Sequence, residues 1–392
     1  MMNNVLTAYI LSLLWRSWFW LGIWIFYYLK YTDYAGIGFL EAVMITTATI
    51  GEIPTGAIAD IVGKKKAVIV AFIISGLGNL TMAFAPSYTV LLGSIIMMTL
   101  GGCFYSGSLE ALVYDGLKND RKEKIFNKVI SRMNTMQNLG MAISGAVGGY
   151  LYTISNSLPF IMVALFYAIG SIAAMWLVEP KIHTEKYSWS GFITQNKAGF
   201  EQLFANLEIR KIVIALLLPS AFMVATENVL SDATAVELGL NSVQLGIYTS
   251  VLFMVGVVFS ESTEKILKIF KSKILYLLLI SIYLATLIIM PLAGIILGIA
   301  LLFVRYAVQT VYDNFVSVRI NTVIESRYRA TTLSTYSLIR NIPYVIFATG
   351  IGMMMNLLTA KTFSMYFGIL LIAMLLIYSG LSHTTILRKE SQ

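Results

Sequence analysis

The sequence predicts an all-α, polytopic membrane protein with 12 transmembrane helices in two sets of six, and three observations predict it. The 392 residues are 58% hydrophobic and only 12% charged, where a soluble domain carries about 25% charged residues. Apolar runs of about 20 residues, the length that crosses the hydrocarbon core, recur along the whole chain. Lysine and arginine collect in alternate loops, as they do on the cytoplasmic face of membrane proteins.

Taken in order, the apolar runs place helix 1 at about 7–30 and helix 2 at about 36–59. Helix 3 follows at about 67–85, helix 4 at 88–117, helix 5 at 129–152 and helix 6 at 158–178. A polar stretch, 179–208, carries Trp189, Phe192, Phe200, Leu203 and Phe204 among charges and is expected to lie along the membrane surface. The second set runs at about 209–234, 242–263, 274–290, 291–317, 331–352 and 360–381. The domains are therefore 1–178, an N-terminal six-helix bundle; 179–208, a cytoplasmic amphipathic linker; and 209–392, a C-terminal six-helix bundle.

The basic residues test this count. Lys64 to Lys66, Lys118 to Arg132, Lys181 to Lys211, Lys265 to Lys273, Arg319 to Arg329 and Arg388-Lys389 fall on one side, and the opposite loops hold only Lys30 and Lys361. That asymmetry predicts both termini and the central loop in the cytoplasm, and an odd number of spans would scatter the lysines over both faces. The formal charge of +8 is then loop charge facing an anionic leaflet, not a nucleic-acid footprint. Arg16 interrupts the first apolar run and no basic start or small-residue cleavage site precedes it, so this run reads as a span, not a removable signal peptide.

The stretch Gly51 to Lys66, GEIPTGAIADIVGKKK, joins two spans. Its order Gly56-x-x-x-Asp60-x-x-Gly63-Lys64-Lys65 resembles the loop between helices 2 and 3 of the major facilitator superfamily of transporters, with Ile61 where that family usually has arginine. The resemblance implies two pseudo-symmetric six-helix halves around a substrate cavity, and a cytoplasmic gate of Gly56, Asp60, Gly63, Lys64 and Asp115. Asp115 enters as the acid at the cytoplasmic end of helix 4. A faint internal repeat fits two halves: Tyr114-Asp115 and Tyr312-Asp313 occupy corresponding places. The second half's counterpart of the basic loop, GVVFSESTEK from Gly256, is degenerate.

In helix 5, Gly140-x-x-x-Ser144-Gly145-x-x-Gly148-Gly149 resembles the glycine pattern of the drug:proton antiporters of this superfamily, with Ser144 in place of a glycine and Gly145 in place of the proline. Small residues at this spacing let another helix approach backbone to backbone. Helix 4 departs from that branch: it reads GGCFYSGSLEALVYD and carries a glutamate where the antiporters tend to have a buried arginine.

Charges inside spans cost about 2.5–3.5 kcal/mol each on insertion scales unless paired or facing water, so they are the candidates for proton coupling and substrate binding. Arg16 and Arg340 fall near mid-membrane, Arg305 lies well inside, Glu52, Glu110 and Asp313 lie in the cytoplasmic half, and Glu227 falls toward the outer half. A carboxylate in low dielectric can load and release a proton near neutral pH, and a neighbouring arginine opposes this. Glu52 either couples protons or braces the Pro54-Gly56 bend. Glu110 either binds proton or substrate or packs as a neutral group with Tyr105, Ser106 and Ser108. The three arginines either balance these acids or bind an anionic substrate. Asp33 and Glu41, near the outer surface, are expected to be solvated.

No phosphate-cradling Gly-x-x-x-x-Gly-Lys-Ser/Thr loop is present, which argues against an ATP-driven pump. The single cysteine, Cys103, lies in an apolar run, and His183 and His383 fall in loops or tails, so no metal site, cofactor or enzyme signature is expected. The sequence is thus expected to encode a monomeric, multi-pass transporter of the inner or plasma membrane, exchanging protons for small organic compounds such as antimicrobials. The alternative is a carrier of a non-drug metabolite: a sugar, nucleoside, organic anion or lipid.

Overall fold

The computed structural model describes residues 2–179, 194, 197, 200–205, 207–324 and 329–381. Among these residues the chain is helical and holds no strand. Eight helices are long and apolar enough to cross a membrane, and Asn4–Trp15, Leu158–Ala174 and Ser272–Ile288 are shorter apolar helices. With the glycine-rich Phe126–Ile154 they form the expected 12 spans.

The first six are α1 (Met2–Trp15 and Trp24–Tyr28), α2 (Tyr34–Val62), α3 (Lys64–Ala83), α4 (Tyr88–Tyr105 and Ser108–Asn119), α5 (Phe126–Ile154) and α6 (Leu158–Ala174). The rest are α7 (Leu207–Ala225, continued as Thr226–Leu230 and Ser231–Glu237), α8 (Ser242–Ile269), α9 (Ser272–Ile288), α10 (Ile295–Val323), α11 (Arg329–Leu357) and α12 (Ala360–Leu381).

Local chemistry sets several boundaries. The Asp33 carboxylate accepts the Gly36 N–H at 2.9 Å and so starts α2. Gly63, at φ +100°, takes the left-handed turn between α2 and α3. Asn241 and Gln244 cap each other's backbone N–H at 2.9 and 3.0 Å and start α8.

Two spans expected to be continuous are broken. α1 loses its helical ladder between Trp15 and Trp24, and α4 breaks at Ser106-Gly107, where Gly107 has φ +71°. α7 is helical throughout, but Thr226–Leu230 is wound as a π-turn. Glu41, expected to be solvated, is buried at 7% exposure. Of the expected surface segment, Phe200 and Phe204 pack ring to ring at 4.6 Å and Leu203 is buried. Trp189, Phe192, His183, His383, Arg388 and Lys389 lie outside the described residues.

The chain divides into two compact units. The first comprises Met1–Thr32, Val43–Gly191 and Asn241–Phe253. Its core gathers Leu11, Trp15, Phe72, Leu112, Met133 and Tyr167 from α1 and α3 to α6. The second comprises Asp33–Ala42, Phe192–Leu240 and Met254–Gln392. There Leu216, Leu279, Tyr283, Tyr312, Phe315 and Leu371 are buried. Large apolar side chains such as Ile143, Ile172, Ile296 and Leu376 stand exposed. In water these would be a liability; in a bilayer they are the solvent-facing surface.

Candidate functional site

In the second unit, three of the expected residues come together on three helices. Glu227 projects from the π-turn of α7, a distortion that recurs at functional positions. Its carboxylate accepts a hydrogen bond from Gln309 Nε2 of α10 at 2.8 Å. One turn along α10, Asp313 accepts from Arg340 Nη1 of α11 at 2.7 Å. The Tyr336 hydroxyl, one turn before Arg340, meets the Ser220 hydroxyl of α7 at 2.8 Å and closes the triangle of helices. Glu227 keeps an exposed side chain, and Asp313 and Arg340 are 35% and 24% exposed. The arrangement thus offers one carboxylate held by a neutral donor beside another held by a cation, both in touch with solvent. Such a pair can exchange a proton or a ligand for its present partners.

Gln309, Ser220 and Tyr336 were not anticipated. Gln309 was legible in principle, because Arg305, Gln309 and Asp313 recur every four residues along an apolar helix. Arg305 makes its contacts apart from these: it is 1% exposed and donates to Thr286 Oγ1 and O at 3.3 and 3.0 Å and to Ser364 Oγ at 3.2 Å. Its guanidinium braces α9, α10 and α12 against one another. Gly256, from the degenerate second motif, lies against the Tyr306 ring.

In the first unit, Lys64 Nζ pairs with Asp115 at 2.5 Å, joining α3 to α4. Glu179 was missed by sequence reasoning: its carboxylate accepts the backbone N–H groups of Lys64 and Lys65 at 2.9 and 2.6 Å. It thereby fills the α3 N-terminus beside Gly63, a favourable place for a negative charge. No spacing rule links it to a loop 115 residues away. A cleft of about 250 Å³ is lined by Glu52, Asp60, Lys64, Cys103, Ser106 and Ser108, among others. Ser106 Oγ donates to Glu52 at 3.4 Å across it, and Gly56 forms part of its wall. Glu110 is exposed in the first turn after the α4 break.

Arg16 sits in the α1 break with its guanidinium 4.4 Å from the Trp18 ring centroid. Glycines of α5 receive this irregular backbone. A methyl on Gly140 would lie 2.6 Å from the Leu13 carbonyl oxygen, and one on Gly148 would overlap the Phe19 carbonyl. Gly145 instead faces the Ser250 hydroxyl of α8, Gly149 faces the α8 backbone at Ser242 and Val243, and Ser144 is buried. Among the described residues no group of His, Cys, Asp and Glu is placed to hold a metal ion.

The sequence model of the Major Facilitator Superfamily matches residues 5–348. This chain belongs to that superfamily. The uncharacterized MFS-type transporter YxaM of Bacillus subtilis (strain 168) is 28% identical over 148 residues, which is 38% of this chain and 36% of that protein's length. Among solved structures, the nucleoside transporter NupG superposes with a TM-score of 0.80 at 15% identity, covering 98% of this chain and 99% of that one. A POT family transporter in complex with 5-aminolevulinic acid gives 0.71 at 14% identity over 97% and 96%. A bacterial homolog to the human lysosomal transporter Spinster also gives 0.71 at 14% identity, over 97% and 95%. Membership and fold make the chain a multi-pass membrane protein of a transporter superfamily.

Proposed function

We propose that this MFS protein is a proton-coupled secondary transporter of small organic compounds in the cell membrane, working by alternating access with both termini cytoplasmic. The observation that carries this reading is the Glu227–Gln309 and Asp313–Arg340 pairing on α7, α10 and α11. A carboxylate whose partners change between states takes up a proton in one and gives it up in the other. Lys64, Asp115 and Asp60 act as the cytoplasmic gate, with Glu179 anchoring the α3 end of that loop. A metabolite is the favoured cargo: Arg16 and Arg340, both part-exposed within the spans, suit a polar or anionic compound better than a lipophilic cation. Likeness to a nucleoside transporter and to a carrier holding 5-aminolevulinic acid points the same way. Antimicrobial export is the second reading, favoured by the antiporter-like glycine run in α5.

The test uses purified protein in liposomes with an internal pH dye, challenged with nucleosides, organic anions, sugars and cationic drugs. One compound class should move protons in the wild type and in the surface variant Lys268→Gln, and fail to do so in Glu227→Gln. Radiolabelled uptake without proton movement would remove proton coupling from the proposal.

A further inference from the structure

The first unit holds a polar centre that this coupling network leaves unused. It lies where α1 and α4 are broken beside one another. The Trp15 ring is sandwiched between Tyr105 at 4.0 Å and Tyr167 at 5.1 Å, and Trp18 stacks on Trp20 at 5.2 Å with the Arg16 guanidinium against it. Around these rings, three buried polar atoms have no hydrogen-bond partner among the described residues: Ser12 Oγ, Tyr105 OH and Trp20 Nε1. Ser12 is 0% exposed, and its hydroxyl adjoins that of Tyr105 without a well-formed hydrogen bond between them. The region is not loosely paired in general. The Tyr167 hydroxyl accepts from Trp18 Nε1 at 2.8 Å and donates to the Trp15 carbonyl at 2.9 Å.

An unpaired buried polar group is costly, and native structures leave few of them. Three in one neighbourhood indicate an absent partner, and their chemistry says which. An indole N–H is a donor only, a guanidinium carries five donors and no acceptor, and either hydroxyl can turn to donate. A set of donors calls for an acceptor-only group, and an ionised carboxylate, with about four lone-pair sites, is one. The positive charge of Arg16 opposes a cation here, and an amide brings donors that Arg16 and Trp20 cannot receive. The orphaned atoms are themselves buried, but Arg16, Trp18, Trp20 and Tyr105 are each partly exposed at other atoms, so the cluster lies just beneath the surface. Glu110 is near enough to act on the Tyr105 hydroxyl, but its own side chain faces outward, exposed.

We propose that Arg16, Ser12, Tyr105 and Trp20 form a subsite for the carboxylate of a small organic anion. This rests on the transport reading above, in which that anion is the cargo. The test titrates the full chain in lipid nanodiscs with benzoate, benzamide and benzylamine and follows intrinsic fluorescence, to which Trp15, Trp18 and Trp20 contribute from the subsite itself.

Benzoate should bind saturably and more tightly than benzamide or benzylamine. Arg16→Gln should weaken benzoate about tenfold or more, the loss expected for a hydrogen bond to a charged group, and Arg16→Lys should restore part of it. Tyr105→Phe and Ser12→Ala have an opposed signature: each removes one orphaned oxygen, so each should raise the melting temperature of the unliganded protein while weakening benzoate. The proposal falls if benzoate binds no more tightly than benzamide, or if a folded Arg16→Gln variant binds it like wild type. Should Arg16→Gln not fold, unchanged benzoate affinity in both oxygen deletions overturns it equally. Binding without flux in liposomes would leave the subsite standing and remove the transport reading; flux with no preference for carboxylates would remove the subsite alone.

Discussion

A charge persists inside a bilayer only where something holds it, and single residues here show two ways of holding one. Arg305 is buried and donates to uncharged groups, Thr286 and Ser364, on two neighbouring helices. Arg340 is paired with Asp313 and part-exposed, so its partner can be replaced. The cost of breaking that pair should lie between the roughly 0.2–1 kcal/mol of exposed ion pairs and the roughly 3–5 kcal/mol of losing one partner of a buried pair. Arg340→Gln and Asp313→Asn should each lower the melting temperature in nanodiscs, and the double variant should recover part of the loss. A double variant as unstable as the summed singles would mean that the two charges do not act on each other. Both charges could be named from the sequence, since each interrupts an apolar run. Their pairing could not, because 27 residues separate them and nothing in a helical pattern says which faces of α10 and α11 meet.

At the scale of the helix, the glycines of α5 and the breaks in α1 and α4 are one problem seen from two sides. The glycine spacing was legible because small residues every three or four positions mark a close approach. What approaches was not legible. Residues 16–18 of α1 contain neither glycine nor proline, and the break there is held by Tyr167, which bonds Trp15 and Trp18 from about 150 residues away. Periodicity within a window of 20 residues cannot see such a bond. The break in α4 has a local cause in Gly107 at φ +71°, but a lone glycine in an apolar run is usually tolerated as helix. Gly148→Ala should therefore abolish folded protein, because its methyl would meet the Phe19 carbonyl, which is backbone and cannot turn aside. Gly93→Ala in α4 meets nothing within 4 Å and should be neutral or stabilise by up to about 1 kcal/mol. Fluorescence-detected size exclusion and thermal melting separate the two; equal behaviour would mean that α5 does not rest on the irregular backbone of α1.

For the whole molecule, the proposed orientation in the membrane rests on loop charge, and the two lysines that depart from it are both engaged. The outer loops carry only Lys30 and Lys361: Lys30 Nζ lies 4.9 Å from the Tyr152 ring centroid, and Lys361 Nζ donates to the Ala293 carbonyl at 2.7 Å. The basic residues of the opposite loops include exposed ones such as Lys124 and Lys271, available to an anionic leaflet. The proposed topology then fixes which loops a membrane-impermeant maleimide reaches. Cys103 is the single native thiol and is buried, so Cys103→Ser supplies a clean background. Asn156→Cys, between α5 and α6, and Leu292→Cys, between α9 and α10, should label in intact cells. Lys124→Cys and Lys271→Cys should label only after permeabilisation. The opposite pattern would invert the orientation. A mixed one, with Lys124 and Lys271 reached from different sides, would break the count of 12 spans, because an even number of crossings between those loops is what places their lysines on a common face.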